Sequence, residues 1–183
     1  MPLRPQSAPS TLQHDGIARR IPHQGSMCLL DRVTAWDSSQ ISCEASSHRA
    51  DSNPLRAYGR LGASCGIEYA AQAMAVHGAL IAETQASADA ASHGPEIGYL
   101  ASIRGVTLHV ERLDDLSELL TIRAERLSGD DSTILYSFSL HAGPAVLLSG
   151  RAVVVLNAAG LVLPGRTGNS FDPPPGTSAP QTL

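Results

Sequence analysis

Through the middle of the chain, residues 63–83 read ASCGIEYAAQAMAVHGALIAE, with apolar positions on every side of a 3.6-residue period. Alanine dominates and β-branched residues are few, so the segment is expected to be a helix buried over most of its surface. Elsewhere the period is two. Residues 40–48 (QISCEASSH) alternate Ile41, Cys43 and Ala45 against Ser42, Glu44, Ser46 and His48, the pattern of a half-buried strand. Residues 27–36 form an apolar run that begins another strand, and residues 97–110 are long and rich in β-formers. Leu120, Ile122 and Ala124 alternate with polar neighbours, as do Ile134, Tyr136, Phe138 and Leu140, and residues 145–156 add a further strand. The turn signals SGDDST and Ala142-Gly143-Pro144 join the last three strands into an expected antiparallel meander. Residues 49–62 and 84–95 are expected loops.

One or two strands, one long helix, then four strands predict an α+β fold, a curved antiparallel sheet wrapped around a central helix. A helix this apolar needs cover on its second side, and a second subunit is the natural one, so a dimer is expected. Pro, Ser, Gly and Thr crowd both ends. Residues 1–15 are therefore expected to be a flexible tail, 16–164 the folded domain and 165–183 a second tail.

Composition narrows the function classes. The 183 residues are 43% apolar and 16% charged, with a net charge of −4 and no basic run, which argues against nucleic acid as a partner. All 13 cationic residues are arginine, which excludes a catalytic lysine. Cys28, Cys43 and Cys65 are scattered, without the spacing of a zinc site or a disulfide framework, and read as free thiols. Neither a signal-type apolar core nor a run long enough to span a membrane occurs, so a cytoplasmic location is expected.

Glu68 and Gln72 stand four apart and share a helix face, with Ser64 one turn earlier. Apolar neighbours strip hydration from a carboxylate, which suits it to acid–base work near neutral pH. Of the histidines, His14 falls in the expected N-terminal tail and His93 in a loop. His109 and His141 lie on or at the ends of strands with no visible acid partner, and His77 reads as a satisfied helix histidine. His48, at the end of a strand, and His23, in Ile21-Pro22-His23-Gln24-Gly25, remain as candidate partners. No H-E-x-x-H, G-x-S-x-G, P-loop or Rossmann pattern is present, so hydride and nucleotide chemistry have no support.

Residues 21–33 (IPHQGSMCLLDRV) resemble the opening segment of the bacterial β-hydroxyacyl-ACP dehydratases of fatty-acid synthesis. Residues 66–75 (GIEYAAQAMA) resemble their central helix, with its Glu-x-x-x-Gln spacing. With Asn53-Pro54-Leu55-Arg56 and the full run GIEYAAQAMAVHG, the chain is more similar to the divergent hotdog subgroup of aryl polyene and xanthomonadin pigment clusters. The resemblance spans residues 16–156. It implies a hotdog fold and dehydration of a 3-hydroxyacyl group on acyl carrier protein to a trans-2-enoyl group, with no metal or organic cofactor.

In the wider family a histidine from a Gly-His-Phe-Pro-Gly turn meets the helix glutamate across the dimer interface, and a peptide N–H at the helix start polarises the thioester carbonyl. Glu68 matches the glutamate. Where the histidine would fall this chain has Pro54, next to Asn53, and its helix opens with Leu61-Gly62-Ala63. The catalytic expectation is therefore Glu68 toward the substrate hydroxyl and His48 toward the α-proton, with Gly62, Ser64 and Gln72 as substrate-binding candidates. The altered turn also fits a half-site or non-catalytic subunit completed by another hotdog chain in a hetero-oligomer. Thioester hydrolysis is the third reading.

Overall fold

The structure, a computed structural model, describes residues 11–86, 98–130 and 132–156. The expected order is present, with one addition at the start. β1 (Leu12–Gln13) and α1 (His14–Ala18) lead into β2 (Arg32–Trp36) and β3 (Gln40–Ala45). A single turn of 3-10 helix, Ala63–Cys65, then runs into α2 (Gly66–Ala86). After it come β4 (Gly98–Leu108), β5 (Leu120–Gly129), β6 (Thr133–Ala142) and β7 (Ala145–Leu156). The folded body thus begins before residue 16. Leu12 pairs with Val33 and packs on the core, and His14 Nδ1 lies 2.8 Å from the Leu30 carbonyl. The composition of the leader hid this, because one leucine among polar residues is enough to anchor a two-residue strand. The expected C-terminal tail and the loop histidine His93 lie outside the described residues.

The seven strands of the described residues form one antiparallel sheet in the order β1-β2-β3-β5-β6-β7-β4. β5, β6 and β7 are the expected meander. Gly143, at φ +51, opens the two-residue turn between β6 and β7, as a type II′ hairpin demands of its first central residue. After α2 the chain resumes at the far edge, so among the described residues β4 is bordered by β7 alone. Extra residues interrupt β2, β5 and β7 once each and β4 twice, and such irregularities bend strands and raise their twist.

The inner face of the sheet carries Ile41, Cys43, Ile122, Ala124, Tyr136, Phe138 and Leu140, and α2 lies across it through Tyr69, Ala70, Ala73, Met74 and Val76. Contact is closest at the helix start. A Cβ on Gly66 would sit 2.3 Å from one methyl of Leu148 and 2.8 Å from one of Leu140, so only glycine lets the helix come this near. No helix of the described residues is long and apolar enough to cross a membrane.

Candidate active site

Glu68 lies in the first turn of α2, where a carboxylate is favoured by the helix dipole. Its side chain is 31% exposed, at one end of a cavity of about 480 Å³. Oε1 accepts a hydrogen bond from Gln72 Nε2 at 3.0 Å and stands 3.1 Å from His23 Nε2. The structure therefore brings His23 to the glutamate, within one subunit.

The loop carrying His23 is pinned from both sides. Gln24 Nε2 donates to the carbonyls of Ala18 (2.8 Å) and Ile21 (3.2 Å), which closes the turn around the histidine. Gln72, fully buried, holds the following segment: its Oε1 accepts from the Leu29 N–H (2.9 Å) and its Nε2 donates to the Met27 carbonyl (2.8 Å). One amide thus fixes the rotamer of Glu68 and ties α2 to the segment that follows His23. Nδ1 of His23 is shielded from solvent and has no hydrogen-bond partner among the described residues.

His48 does not fold back to Glu68, contrary to the expectation. β3 ends at Ala45, and a 3-10 turn over Ser47–Arg49 breaks the alternation and sends the ring inward. His48 is fully buried, its Nε2 3.3 Å from the Leu116 carbonyl, and burial lowers its pKa. It makes no hydrogen bond or ion pair with Glu68. Ser64 is exposed in the turn before α2, and Gly62 is half-buried, its carbonyl accepting from the Cys65 N–H at 3.0 Å. Neither lines the cavity, and Gln72 stands behind the carboxylate rather than in the wall.

Several supporting residues were not among the site candidates, although Asn53 and Arg56 belong to the Asn53-Pro54-Leu55-Arg56 motif. Asn53 Nδ2 donates to the Ser47 carbonyl and to the Tyr69 hydroxyl, both at 2.9 Å, and Ser47 Oγ donates to the Leu29 carbonyl at 2.7 Å. This network fastens the loop before α2 to the helix itself. Asp114, nearly buried, accepts from the Leu61 N–H (3.0 Å), Arg112 Nε (2.9 Å) and Arg56 (3.0 Å). The hydrogen bond from Arg112 is the main cause holding its carboxyl well below the usual range.

From the His23–Glu68 pair the cavity runs between α2 and the sheet. Its helix wall is Ala71, Met74, Ala75, Gly78 and Ala79, and its sheet wall is Tyr99 and Leu100 of β4, Ile134 and Tyr136 of β6, and Val154 and Leu156 of β7. Arg19 and Arg20 stand among its lining residues on the His23 side. Tyr136 is anchored by His77, whose Nδ1 lies 3.0 Å from the phenol oxygen and whose Nε2 lies 2.7 Å from the Asp37 carbonyl. A carbonyl only accepts, so Nε2 carries the proton and the phenol donates to Nδ1. His77 is the satisfied helix histidine that was expected. Among the described residues no group of three or more His, Cys, Asp or Glu is placed to hold a metal ion.

Such an arrangement can exchange protons with a substrate whose reacting carbons lie beside His23 and Glu68 and whose apolar tail fills the cavity.

A family model described as the ApeP dehydratase of the ApeP-like family matches residues 16–160. Among solved structures, the dehydratase heterocomplex ApeI:P from Xenorhabdus doucetiae is similar at a TM-score of 0.64 and 20% identity, over 82% of this chain and 92% of that one. A thioesterase from Haemophilus influenzae is similar at 0.54 and 10% identity, over 79% and 90%. Both likenesses concern the fold, which is the hotdog fold. No curated protein matches the chain.

Proposed function

As the chain belongs to the ApeP-like dehydratase family, we propose that it dehydrates 3-hydroxyacyl groups carried on acyl carrier protein to trans-2-enoyl groups, with His23 and Glu68 as the catalytic pair. The observation that carries this reading is the 3.1 Å contact between His23 Nε2 and Glu68 Oε1 at one end of an apolar cavity. The thioester carbonyl acidifies the α-carbon. Neutral His23 removes the α-proton, the C–O bond at the β-carbon breaks, and the proton of Glu68 leaves with the hydroxyl as water. The products are the enoyl thioester, imidazolium and carboxylate, and a proton passing across the 3.1 Å gap restores the starting pair. No step calls on a cofactor.

The family likeness supports a place in aryl polyene-type pigment synthesis, and a carrier-bound substrate fits a cytoplasmic setting. A second hotdog subunit is the proposed partner. Among the described residues β4 is an eleven-residue edge strand, and Tyr99, Leu100, Ile103, Val106 and Leu108 on it are exposed. An apolar edge of this length is usually paired or covered. The ApeI:P structure, a heterocomplex by its own description, supports a partner of different sequence over a second copy.

The test incubates the purified assembly with 3-hydroxyacyl-ACP and follows both the enoyl thioester and free thiol. Enoyl product that disappears with Glu68→Gln and His23→Asn supports the assignment. Thiol release without enoyl product replaces dehydration with thioester hydrolysis.

A further inference from the structure

α2 contains two glycines with opposite surroundings, Gly66 at its first position and Gly78 in its interior. Gly66 is explained by packing, because a Cβ there would collide with Leu148 and Leu140. Gly78 is not. Among the described residues a Cβ on Gly78 meets nothing within 4 Å, and its backbone is not in the left-handed region that favours glycine. Glycine is also the poorest helix former after proline, so neither conformation nor close approach by the described residues accounts for it. What lies over Gly78 is the cavity, of which it forms part of the wall.

Position along the helix gives that space a meaning. Ala71, Ala75 and Gly78 follow one another at four and three residues on one face, starting a turn beyond Glu68. Ten residues separate Glu68 from Gly78, about 15 Å of helix axis. That is far more than a four-carbon acyl group needs and comparable to a medium-length chain. Alanine methyls line the near part of the path, and at its far part the side chain is removed altogether.

We infer that Gly78 sets the length of acyl chain the site accepts, its missing side chain leaving room for the distal carbons between α2 and the sheet. The inference rests on the acyl-thioester reading above. The class of ligand is a medium-length, largely apolar acyl thioester.

The test measures binding of S-acyl-pantetheine thioesters of four, eight and twelve carbons to the full chain in its native assembly, for wild type, Gly78→Ala and Gly78→Leu. Both substitutions favour helix, and a circular dichroism melt checks that each variant folds. Wild type is expected to bind the twelve-carbon ligand at least about 10-fold more tightly than the four-carbon one, from the added apolar burial. Gly78→Leu should reduce that ratio to about 2-fold or less by weakening only the long ligand, with Gly78→Ala intermediate. If Gly78→Leu does not fold, Gly78→Ala decides alone. An unchanged ratio in the folded variants, or no chain-length preference in wild type, overturns the inference. So does a change of oligomeric state on size-exclusion chromatography without a change in ratio, which would make Gly78 a subunit contact. Dehydration of the matching 3-hydroxyacyl-ACP substrates is read separately. Wild type that binds long chains without dehydrating them removes the dehydratase reading and leaves the role of Gly78 standing.

Discussion

Gln72 and Leu29, forty-three residues apart in the chain, are joined by a 2.9 Å hydrogen bond in which the backbone N–H of Leu29 donates to the side-chain oxygen of Gln72. The nitrogen of the same amide reaches Met27 and Glu68. Gln72→Leu keeps the volume and removes all three bonds, leaving the buried Leu29 N–H without its partner. Unfolding in denaturant should show a loss of about 2–4 kcal/mol, the usual cost of stranded buried polar groups. Turnover should fall as well, because the rotamer of Glu68 and the segment after His23 are released together.

His23 and Glu68 should behave as one unit. His23→Asn and Glu68→Gln are each expected to lower the dehydration rate by roughly 10²–10⁴-fold. The double variant should lose little more than either single one, since residues that act together are not additive. His48→Asn should instead lower the melting temperature with a rate within a few-fold of wild type. A collapse of rate in a folded His48→Asn protein would return that histidine to the site.

Stability should depend on pH through the buried histidines. Burial lowers the pKa of His77 and His48 below 6.5, so the folded protein keeps them neutral while the unfolded chain protonates them near that value. As pH falls through 6.5 the unfolded state binds more protons, and stability drops with it; above about pH 7.5 this contribution is constant. Each histidine contributes a slope of up to about 1.4 kcal/mol per pH unit within that window. Thermal melts between pH 8 and 5 measure the total, and His77→Gln should flatten the curve by up to one histidine's share.

The edge strand predicts an assembly phenotype. Ile103→Arg with Val106→Arg places two charges on the exposed β4 edge and leaves the residues that line the cavity unchanged. Light scattering after size-exclusion chromatography should show a smaller species than wild type. An unchanged mass would mean that β4 is not the interface.

Much of the architecture was legible in the residues themselves. The alanine-rich run with its all-round apolar pattern gave α2, and the alternations at 40–45, 120–124 and 134–140 gave the inner faces of β3, β5 and β6, because side-chain periodicity is a local property of each element. Glu68 and Gln72 were legible as a pair for the same reason, their spacing being fixed by the helix pitch. Tertiary structure decided which histidine meets the glutamate. His48 shares a strand pattern with its neighbours up to Ala45, and only the 3-10 turn that follows turns its ring into the core. His23 lies forty-five positions before Glu68, in a loop without periodicity, and comes within 3.1 Å because the amides of Gln24 and Gln72 hold that loop and the segment after it in place. The meaning of Gly78 is tertiary as well: a glycine in a helix reads the same whether it faces packed atoms or open space, and only the fold shows that this one faces a cavity.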